Sequence, residues 1–333
     1  MMSDHNMRAL LLESVGGRFR QVMMPQPQPV RGEVLVRIHA SAINPLDTKI
    51  RAGGAAHARQ PLPAILGIDM AGIVEAVSAD VTNFAPGDAV YGMVGGVGGL
   101  QGTLADYAAV DARLIAHAPH NLSMREAAAL PLVAITAWEG LVDRAQVKQG
   151  QTVLVQGGAG GVGHIAMQLA KALGAQVFGT GTGASLEMIA AHGATPIDYK
   201  AMSPADYVAV HTAGRGFDIV YDTVGGDTLD ASFAAIGRFG HVVSALGWGA
   251  HALAPLSFKG GSYSGVFTLL PLITGEGRAH HGEILAEIAR LVEARLLSPQ
   301  VDDRRFDLAM ADTAFDLVAE GKGRGKIVLE LAE

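Results

Sequence analysis

The chain of 333 residues contains no cysteine. That absence excludes disulfide bridges, thiolate-held catalytic zinc and a cysteine-rich structural zinc lobe, and it suits a reducing, cytoplasmic setting. Positive charge is also in short supply: 25 basic against 32 acidic residues leave a net charge of −7. A surface for nucleic acid is therefore not expected. Long hydrophobic runs are missing too. The longest, Ala127 to Trp138, is well short of the roughly 20 residues that span a bilayer, so no membrane contact is expected. The opening MMSDHNMRALLLES has neither a basic leader nor an unbroken apolar core, so it does not read as a signal peptide, and Met1 to Asn6 reads as a frayed tail.

Against these lacks stands one dense stretch, Thr152 to Thr180, TVLVQGGAGGVGHIAMQLAKALGAQVFGT. Val153, Leu154 and Val155 suit a strand buried on both faces. Gly158, Gly160 and Gly163 then satisfy G-x-G-x-x-G. His164 to Leu173 follows as a helix with Ile165, Leu169, Ala172 and Leu173 on one face, Gly174 stops it, and Gln176 to Thr180 forms a second strand. In this setting the first glycine permits a tight turn, the second lets backbone approach a diphosphate, and the third lets helix and strand pack closely. The amides from Gly158 through Gly161, Val162 and Gly163 sit at the positive end of the helix dipole, where a dinucleotide's phosphates bind.

The second strand bears on which dinucleotide. Where an NAD enzyme carries Asp or Glu for the ribose 2′-hydroxyl, this chain has Gly179, Thr180, Gly181, Thr182 and Gly183. A carboxylate about 4 Å from a 2′-phosphate costs roughly 4 kcal/mol per charge pair at an effective dielectric near 20, so lacking one admits NADP. No Lys or Arg occurs between Lys171 and Lys200. Thr182, Ser185, Tyr199 and Lys200 are the expected contacts, with NADPH as the cofactor.

A chain of this length usually makes two domains. Up to about Asn121 short strands alternate with turns: Arg8 to Glu13, Glu33 to Ala42, Gly72 to Val77, Ala89 to Met93 and Leu104 to Val110. Their loops carry Asn44, Pro45, Asp47, Lys49, Gly67, Asp69 and Asp88. Met24 to Pro29 reads as extended linker, and Gly95 to Gly102 as a mobile surface loop. Ser123 to Glu126 fits a capping box, and Pro131 splits the following apolar run into two short helices.

Beyond Thr180, helices at Leu186 to His192, Asp206 to Thr212 and Leu229 to Ile236 alternate with strands at Thr195 to Tyr199, Phe217 to Tyr221, Gly240 to Leu246 and Ser262 to Phe267. Six strands with intervening helices predict an α/β, doubly wound parallel sheet of the Rossmann type. An amphipathic helix from Glu283 to Leu297, with Ile284, Leu285, Ile288, Leu291 and Val292 inward, a helix from Ala309 to Glu320 and a strand from Lys326 to Leu331 close the chain.

Several stretches together resemble the medium-chain dehydrogenase/reductase superfamily in its zinc-free quinone oxidoreductase branch. They are INPLDTKIRAG (Ile43 to Gly53), LGIDMAGIVEAV (Leu66 to Val77), FAPGDAVYG (Phe84 to Gly92), AAALPLVAITAWEGL (Ala127 to Leu141), VLVQGGAGGVG (Val153 to Gly163), FDIVYDTVGG (Phe217 to Gly226) and RGKIVL (Arg324 to Leu329). The resemblance implies a Rossmann domain, residues 123–268, inserted into a GroES-like, mainly β catalytic domain made of residues 1–122 and 269–333, with the active cleft at their junction. In zinc-dependent relatives a Cys or similar ligand stands at Asn44, Gly-His-Glu at Gly67-Ile68-Asp69, and a third ligand near Leu132. Asn, Ile and Leu do not jointly hold zinc. Nor do the closest histidine pairs, His117/His120 and His280/His281, have a further ligand at metal-site spacing. No metal is therefore expected.

By the same resemblance, Thr136 touches the nicotinamide, Asn44 faces the acceptor and Asp47 anchors the loop carrying Asn44. Gly158 to Gly163 hold the diphosphate, Tyr199 the adenosine phosphate, and Thr223, Val224, Leu246 and Gly247 the nicotinamide ribose. Phe267 and Lys326 complete the cofactor set. Taken alone, Thr136 also suits a helix residue bonding a carbonyl, Asn44 and Asp47 suit turn formers, and Lys326 suits a solvated charge. Lys49 stands where many quinone reductases of this branch carry Tyr, leaving water, Lys49 or no protein acid as the proton source.

The expected activity is hydride transfer from NADPH to a small-molecule acceptor, a quinone or an enone, without zinc. An enoyl-thioester reductase and a catalytically silent nucleotide-binding protein are the alternatives. Pairing of Ser262 to Phe267 with its copy across a twofold axis predicts a homodimer.

Overall fold

The structure is a computed structural model and describes residues 6–331. The tail expected at Met1 to Asn6 lies outside these residues except for Asn6, which opens the first strand. The chain divides into two compact units. One runs through Leu132, takes up Leu269–Glu293, and resumes at Pro299; the other comprises Val133–Thr268 and Ala294–Ser298.

The first unit is GroES-like, its strands antiparallel apart from one parallel pair near the C-terminal end. Strands β1 (Asn6–Leu12), β2 (Arg20–Pro25) and β4 (Ala64–Ile65) form a small sheet in the order β2-β1-β4. The larger sheet is built on β3 (Glu33–Ala42), whose alternating Val34, Val36 and Ile38 are buried. It runs β15-β16-β3-β5-β6-β8, where β5 is Asp69–Val77, β6 Ala89–Met93, β8 Ile115–His117, β15 Phe306–Asp307 and β16 Val328–Glu330; β7 (Tyr107–Asp111) also pairs with β3. The helix Arg278–Glu293 buries Ile284, Leu285, Ile288 and Val292 as expected, with Ala289 rather than Leu291 in the buried set.

Three expectations for this unit need correction. Met24 and Pro25, read as linker, belong to β2 and pair with Met7 and Asn6; proline is tolerated because it ends the strand. Asp69, read as a loop residue, opens β5 with its side chain fully buried. Gly95 to Gly102 is a packed turn rather than a mobile loop. Val97 in its centre is 0% exposed, and the Gly98 amide donates to the Ala58 carbonyl at 2.9 Å. A Cβ on Gly95 would lie 1.8 Å from the Gln101 carbonyl oxygen, and one on Gly102 2.2 Å from that of Leu66. Its glycines mark close backbone approach, which composition alone does not distinguish from freedom.

The second unit holds β9 (Thr152–Gln156), β10 (Gln176–Gly181), β11 (Thr195–Asp198), β12 (Phe217–Asp222), β13 (Ile236–Ser244) and β14 (Ser262–Gly265). They form a parallel sheet in the order β11-β10-β9-β12-β13-β14, the doubly wound Rossmann arrangement. Leu154, Phe178, Phe217, Val220 and Val242 pack in its core with Phe233 and Tyr207 from the helices. The predicted break at Pro131 separates helices Met124–Ala128 and Pro131–Trp138, and Ser123 and Glu126 form the capping box. Among the described residues no helix is long and apolar enough to cross a membrane.

Candidate functional site

In the doubly wound unit the strand order reverses between β9 and β12, which opens a crevice beyond the carboxyl ends of the strands. A cleft of about 510 Å³ lies there, lined by the residues that follow β9, β10 and β12. Of the residues predicted to bind cofactor, Gly160, Thr180, Gly181, Thr182, Ser185, Tyr199, Thr223 and Val224 line it.

The glycines divide their work differently from expectation. The tight turn falls on Gly157, at φ +71°, one residue before the motif's first glycine. Gly158 instead lets two strands meet, since a Cβ there would sit 3.2 Å from the Gly179 Cα. Gly163 brings the helix onto the turn: its Cβ would lie 2.1 Å from the Gly157 carbonyl oxygen. Gly160 caps the helix Gly161–Ala172 with no side chain, so Gly161 and Val162 begin its first turn and present backbone where a diphosphate can approach.

Polar side chains hold this floor in place. The Thr180 hydroxyl, 2% exposed, accepts from the Gly157 amide at 3.0 Å and donates to Gln156 Oε1 at 2.9 Å. The Thr223 hydroxyl donates to the Gln156 carbonyl at 2.7 Å. Asp222, fully buried, accepts from the amides of Val224 and Gly225 at 3.1 and 3.0 Å and from the Ser244 hydroxyl at 2.7 Å; Ser244 Oγ in turn accepts from the Leu246 amide at 3.1 Å. One carboxylate thus organises both segments assigned to the nicotinamide ribose. Gly247 lies against the Tyr263 hydroxyl, 2.1 Å from where its Cβ would be. Thr136 is buried, and its carbonyl accepts from the Tyr221 hydroxyl at 2.6 Å.

Toward the expected 2′ end, Ser185 Oγ accepts from the Thr182 amide and donates to its carbonyl, both at 2.7 Å. The Lys200 side chain is exposed and does not line the cleft, while its amide donates to Asp198 Oδ1 at 2.9 Å. Leu246, Gly247 and Phe267 also lie outside the lining, with Phe267 part-exposed.

In the antiparallel unit a second polar cluster gathers Asn44, Asp47, Asp69 and Lys326. Asn44 caps the helix Pro45–Arg51, with Pro45 in its first position. Its main-chain amide donates to Asp47 Oδ2 at 2.8 Å, so Asp47 ties down the turn carrying Asn44. Asn44 Nδ2 donates to Asp69 Oδ2 at 2.9 Å, and Asp69 Oδ1 accepts from the Leu132 amide at 2.9 Å. The expectation of a solvated Lys326 fails: it is 6% exposed, and its ammonium donates to Asn44 Oδ1 and lies 3.8 Å from Asp69 Oδ2. Burial pushes the Asp47 carboxyl up to about 7 and that of Asp69 up to about 6, and it lowers Lys326. Lys49 is exposed on the same helix.

Gly157, Asp222, Gln156 and Ser244 were not anticipated, and Asp69 was noticed without a role. A usable signal existed for the carboxylates. Asp69 interrupts the otherwise apolar run LGIDMAG, and Asp222 follows the apolar IVY at the end of its strand, where an unpaired charge is too costly to leave unsatisfied.

Residues 30–120 match the alcohol dehydrogenase GroES-like domain, and residues 192–329 match the zinc-binding dehydrogenase family. Among the described residues, however, no group of three or more His, Cys, Asp or Glu could hold a metal ion. A crystal structure of an alcohol dehydrogenase superfamily protein from Novosphingobium aromaticivorans is 58% identical, with a TM-score of 0.96, covering 98% of this chain and 100% of that one. The 2-methylene-furan-3-one reductase of Solanum lycopersicum is 34% identical over 311 residues, 91% of this chain and 73% of the relative. The NADPH-dependent alkenal/one oxidoreductase, chloroplastic, of Arabidopsis thaliana is 32% identical with the same two coverages. The chain also matches polyketide synthase proteins, of which it spans 14% to 19% of the length. With both unit architectures and these likenesses in hand, the chain belongs to the medium-chain dehydrogenase/reductase superfamily.

Proposed function

We propose that the protein is a zinc-independent oxidoreductase that reduces an activated C=C bond or a quinone at the expense of NADPH. The observation that carries the reading is the cleft at the strand reversal, floored by Gly157 and Gly160. A Cβ on Gly157 would lie 2.8 Å from Val224 Cγ2, so the cradle is shaped for backbone approach and fits a dinucleotide's diphosphate. The names of the two plant reductases agree with the acceptor class.

When bound, the reduced nicotinamide supplies a hydride. The chain's residues do the rest. Gly157, Gly160 and the first turn after it hold the diphosphate, Thr180 and Gln156 keep that turn rigid, and Asp222 fixes the segments at Thr223 and Leu246. Thr182, Ser185 and Tyr199 receive the adenosine ribose and its phosphate. Asn44 faces the acceptor. With an enone, the hydride supplied by the bound cofactor would go to the β-carbon, and the resulting enolate would take its proton at the α-carbon from solvent or Lys49. An electron-poor acceptor needs no Lewis acid for this step, which is consistent with Asn44, Ile68 and Leu132 at the positions of metal ligands. Among the described residues β14 pairs only with β13, and its other edge forms a homodimer with its copy.

The test is NADPH absorbance with a quinone, an enone and a crotonyl thioester. Turnover of either of the first two supports the proposal, faster turnover of the thioester replaces it with an enoyl-thioester reductase, and no oxidation of NADPH by any of the three leaves a nucleotide-binding protein without this activity.

A further inference from the structure

From the end of β13 to the short helix Ala254–Ser257 the chain leaves the carboxyl end of the parallel sheet as one irregular segment. Its start is fastened through main-chain amides: Ala245 donates to the Asp222 carbonyl at 3.0 Å, and Leu246 to Ser244 Oγ at 3.1 Å. Farther along, His251 takes over. Its side chain is 12% exposed, with Nδ1 3.1 Å from Asp230 Oδ1 and Nε2 3.1 Å from the Trp248 carbonyl oxygen. Asp230 belongs to the helix Asp227–Ala235, which also presents Asp227, Thr228 and Ala231 to the dinucleotide cleft. His251 therefore ties the segment to one wall of that cleft.

A carboxylate and a main-chain carbonyl are both acceptors. A neutral imidazole has one N–H and satisfies one of them, whereas the imidazolium has two and satisfies both. The surroundings favour the second form. Asp230 faces the ring from its helix, Asp222 adds negative charge from the end of β12, and the helix Ala254–Ser257, of sequence APLS, has no titratable side chain. The Phe233 ring lies edge-on to the imidazole with centroids 6.4 Å apart, and Tyr263 of β14 packs on Phe233 at 6.0 Å. The Lys259 ammonium is turned to the carbonyls of Phe233, Ala234 and Ile236, at the far end of the same helix. The Trp248 carbonyl and then the Asp230 carboxylate hold the imidazole above its ordinary value.

We propose that His251 is a proton-operated latch on the segment Gly247–Leu253: its imidazolium holds the segment to the helix Asp227–Ala235, and release of one proton to solvent frees one of the two attachments. Because the folded state holds that proton more tightly than the unfolded chain, the latch is fully closed below the ordinary histidine value near 6.5 and opens as pH climbs through the raised one. The freed segment carries Trp248 and Leu253, both already largely exposed, beside the cleft wall. The device stands whichever acceptor the protein reduces.

The experiment follows amide hydrogen exchange of the segment Gly247–Leu253 in the full chain from about pH 6 to about pH 9, corrected for the intrinsic pH dependence of exchange, with the amides of β12 as the reference for any global change. Wild type, His251→Gln and Asp230→Asn are compared, and the imidazole of His251 is titrated by NMR alongside. In wild type, protection of the segment should fall about tenfold relative to β12, the weight of one charge-assisted hydrogen bond, with a midpoint that matches the imidazole titration and lies above about 6.5. His251→Gln should show weak protection that is the same at both ends of the range. Asp230→Asn keeps an oxygen for Nδ1 and removes its charge, so the midpoint should move to lower pH. Protection in wild type that stays level with pH, an equal fall in His251→Gln, or a midpoint unmoved in Asp230→Asn overturns the proposal. Should either variant fail to fold, the wild-type titration decides by itself: an imidazole that loses its proton below about 6.5, or a fall in protection at another pH, overturns it equally.

Discussion

The Thr180 hydroxyl stands 3.0 Å from the Gly157 amide and 2.9 Å from Gln156 Oε1, so one side chain on β10 ties down both the end of β9 and the glycine that turns away from it. The dinucleotide floor is therefore held from the neighbouring strand, by a residue whose hydroxyl is turned toward protein rather than ligand.

Replacing Thr180 by valine keeps the shape and leaves the part-buried Gly157 amide without its side-chain acceptor, at a cost of about 1 kcal/mol. Differential scanning calorimetry should show a midpoint several degrees lower, and NADPH should bind about tenfold more weakly as the turn loosens. Thr180→Ser should recover most of both. Equal affinity in the valine variant and wild type would show that the turn holds its shape unaided.

Two glycines with similar backbone angles should respond unequally to alanine. Gly157, at φ +71°, has Val224 Cγ2 and Thr223 Oγ1 at 2.8 and 3.0 Å from the position of a Cβ, whereas Gly214, at φ +78°, has nothing within 4 Å. Gly214→Ala carries only the left-handed backbone penalty, about 1–2 kcal/mol, while Gly157→Ala adds the clash and should cost roughly 1 kcal/mol more. Denaturant titration of the two variants checks the order, and only Gly157→Ala should impair NADPH binding.

Asp47 sets a pH dependence of stability. Burial raises its folded-state carboxyl to about 7, above its unfolded value, so the folded state holds the proton longer. The stabilisation is complete below the unfolded value near 4 and is lost as pH climbs through 7, giving unfolding free energy a negative slope across that window. Asp69, raised to about 6, adds a slope of the same sign. Asp47→Asn removes the first contribution, so the wild type should lose about 2 kcal/mol relative to the variant between pH 5 and pH 8. Parallel stability curves for the two proteins would contradict the shift.

If the acceptor needs no Lewis acid, dialysis against a chelator leaves turnover unchanged and elemental analysis finds far less than one zinc per chain. Stoichiometric zinc whose removal abolishes turnover would restore a metal to the mechanism.

Light scattering should give the mass of two chains. Proline at Tyr263, in the β14 edge, should return the mass of one by removing a ladder donor. A single-chain mass for the wild type would remove the twofold pairing.

Much of this was legible in the residues because it depends on local pattern. The six parallel strands follow from short apolar runs alternating with helical periods, and the break at Pro131 and the cap at Ser123 are single-residue chemistry. What escaped depends on tertiary neighbours. Gly158 and Gly157 are equally plausible turn residues in QGGAGG, and only the backbone angle shows that Gly157 turns while Gly158 packs on Gly179. Gly95 to Gly102 has the composition of a flexible linker, yet its glycines exist to let carbonyls pass within contact. Lys326 in RGKIVL looks like any surface charge, because its counter-charges come from Asp47 and Asp69 at the far end of the chain.

That last separation has a consequence for biogenesis. Asn44 and Lys326 are 282 positions apart, so the acidic pair near the start of the chain waits for its cation until nearly everything else has left the ribosome. The antiparallel unit should consequently mature late, with nascent chains ending before Lys326 staying protease-sensitive there after the doubly wound unit, whose own contacts are mostly complete by Thr268, has become resistant.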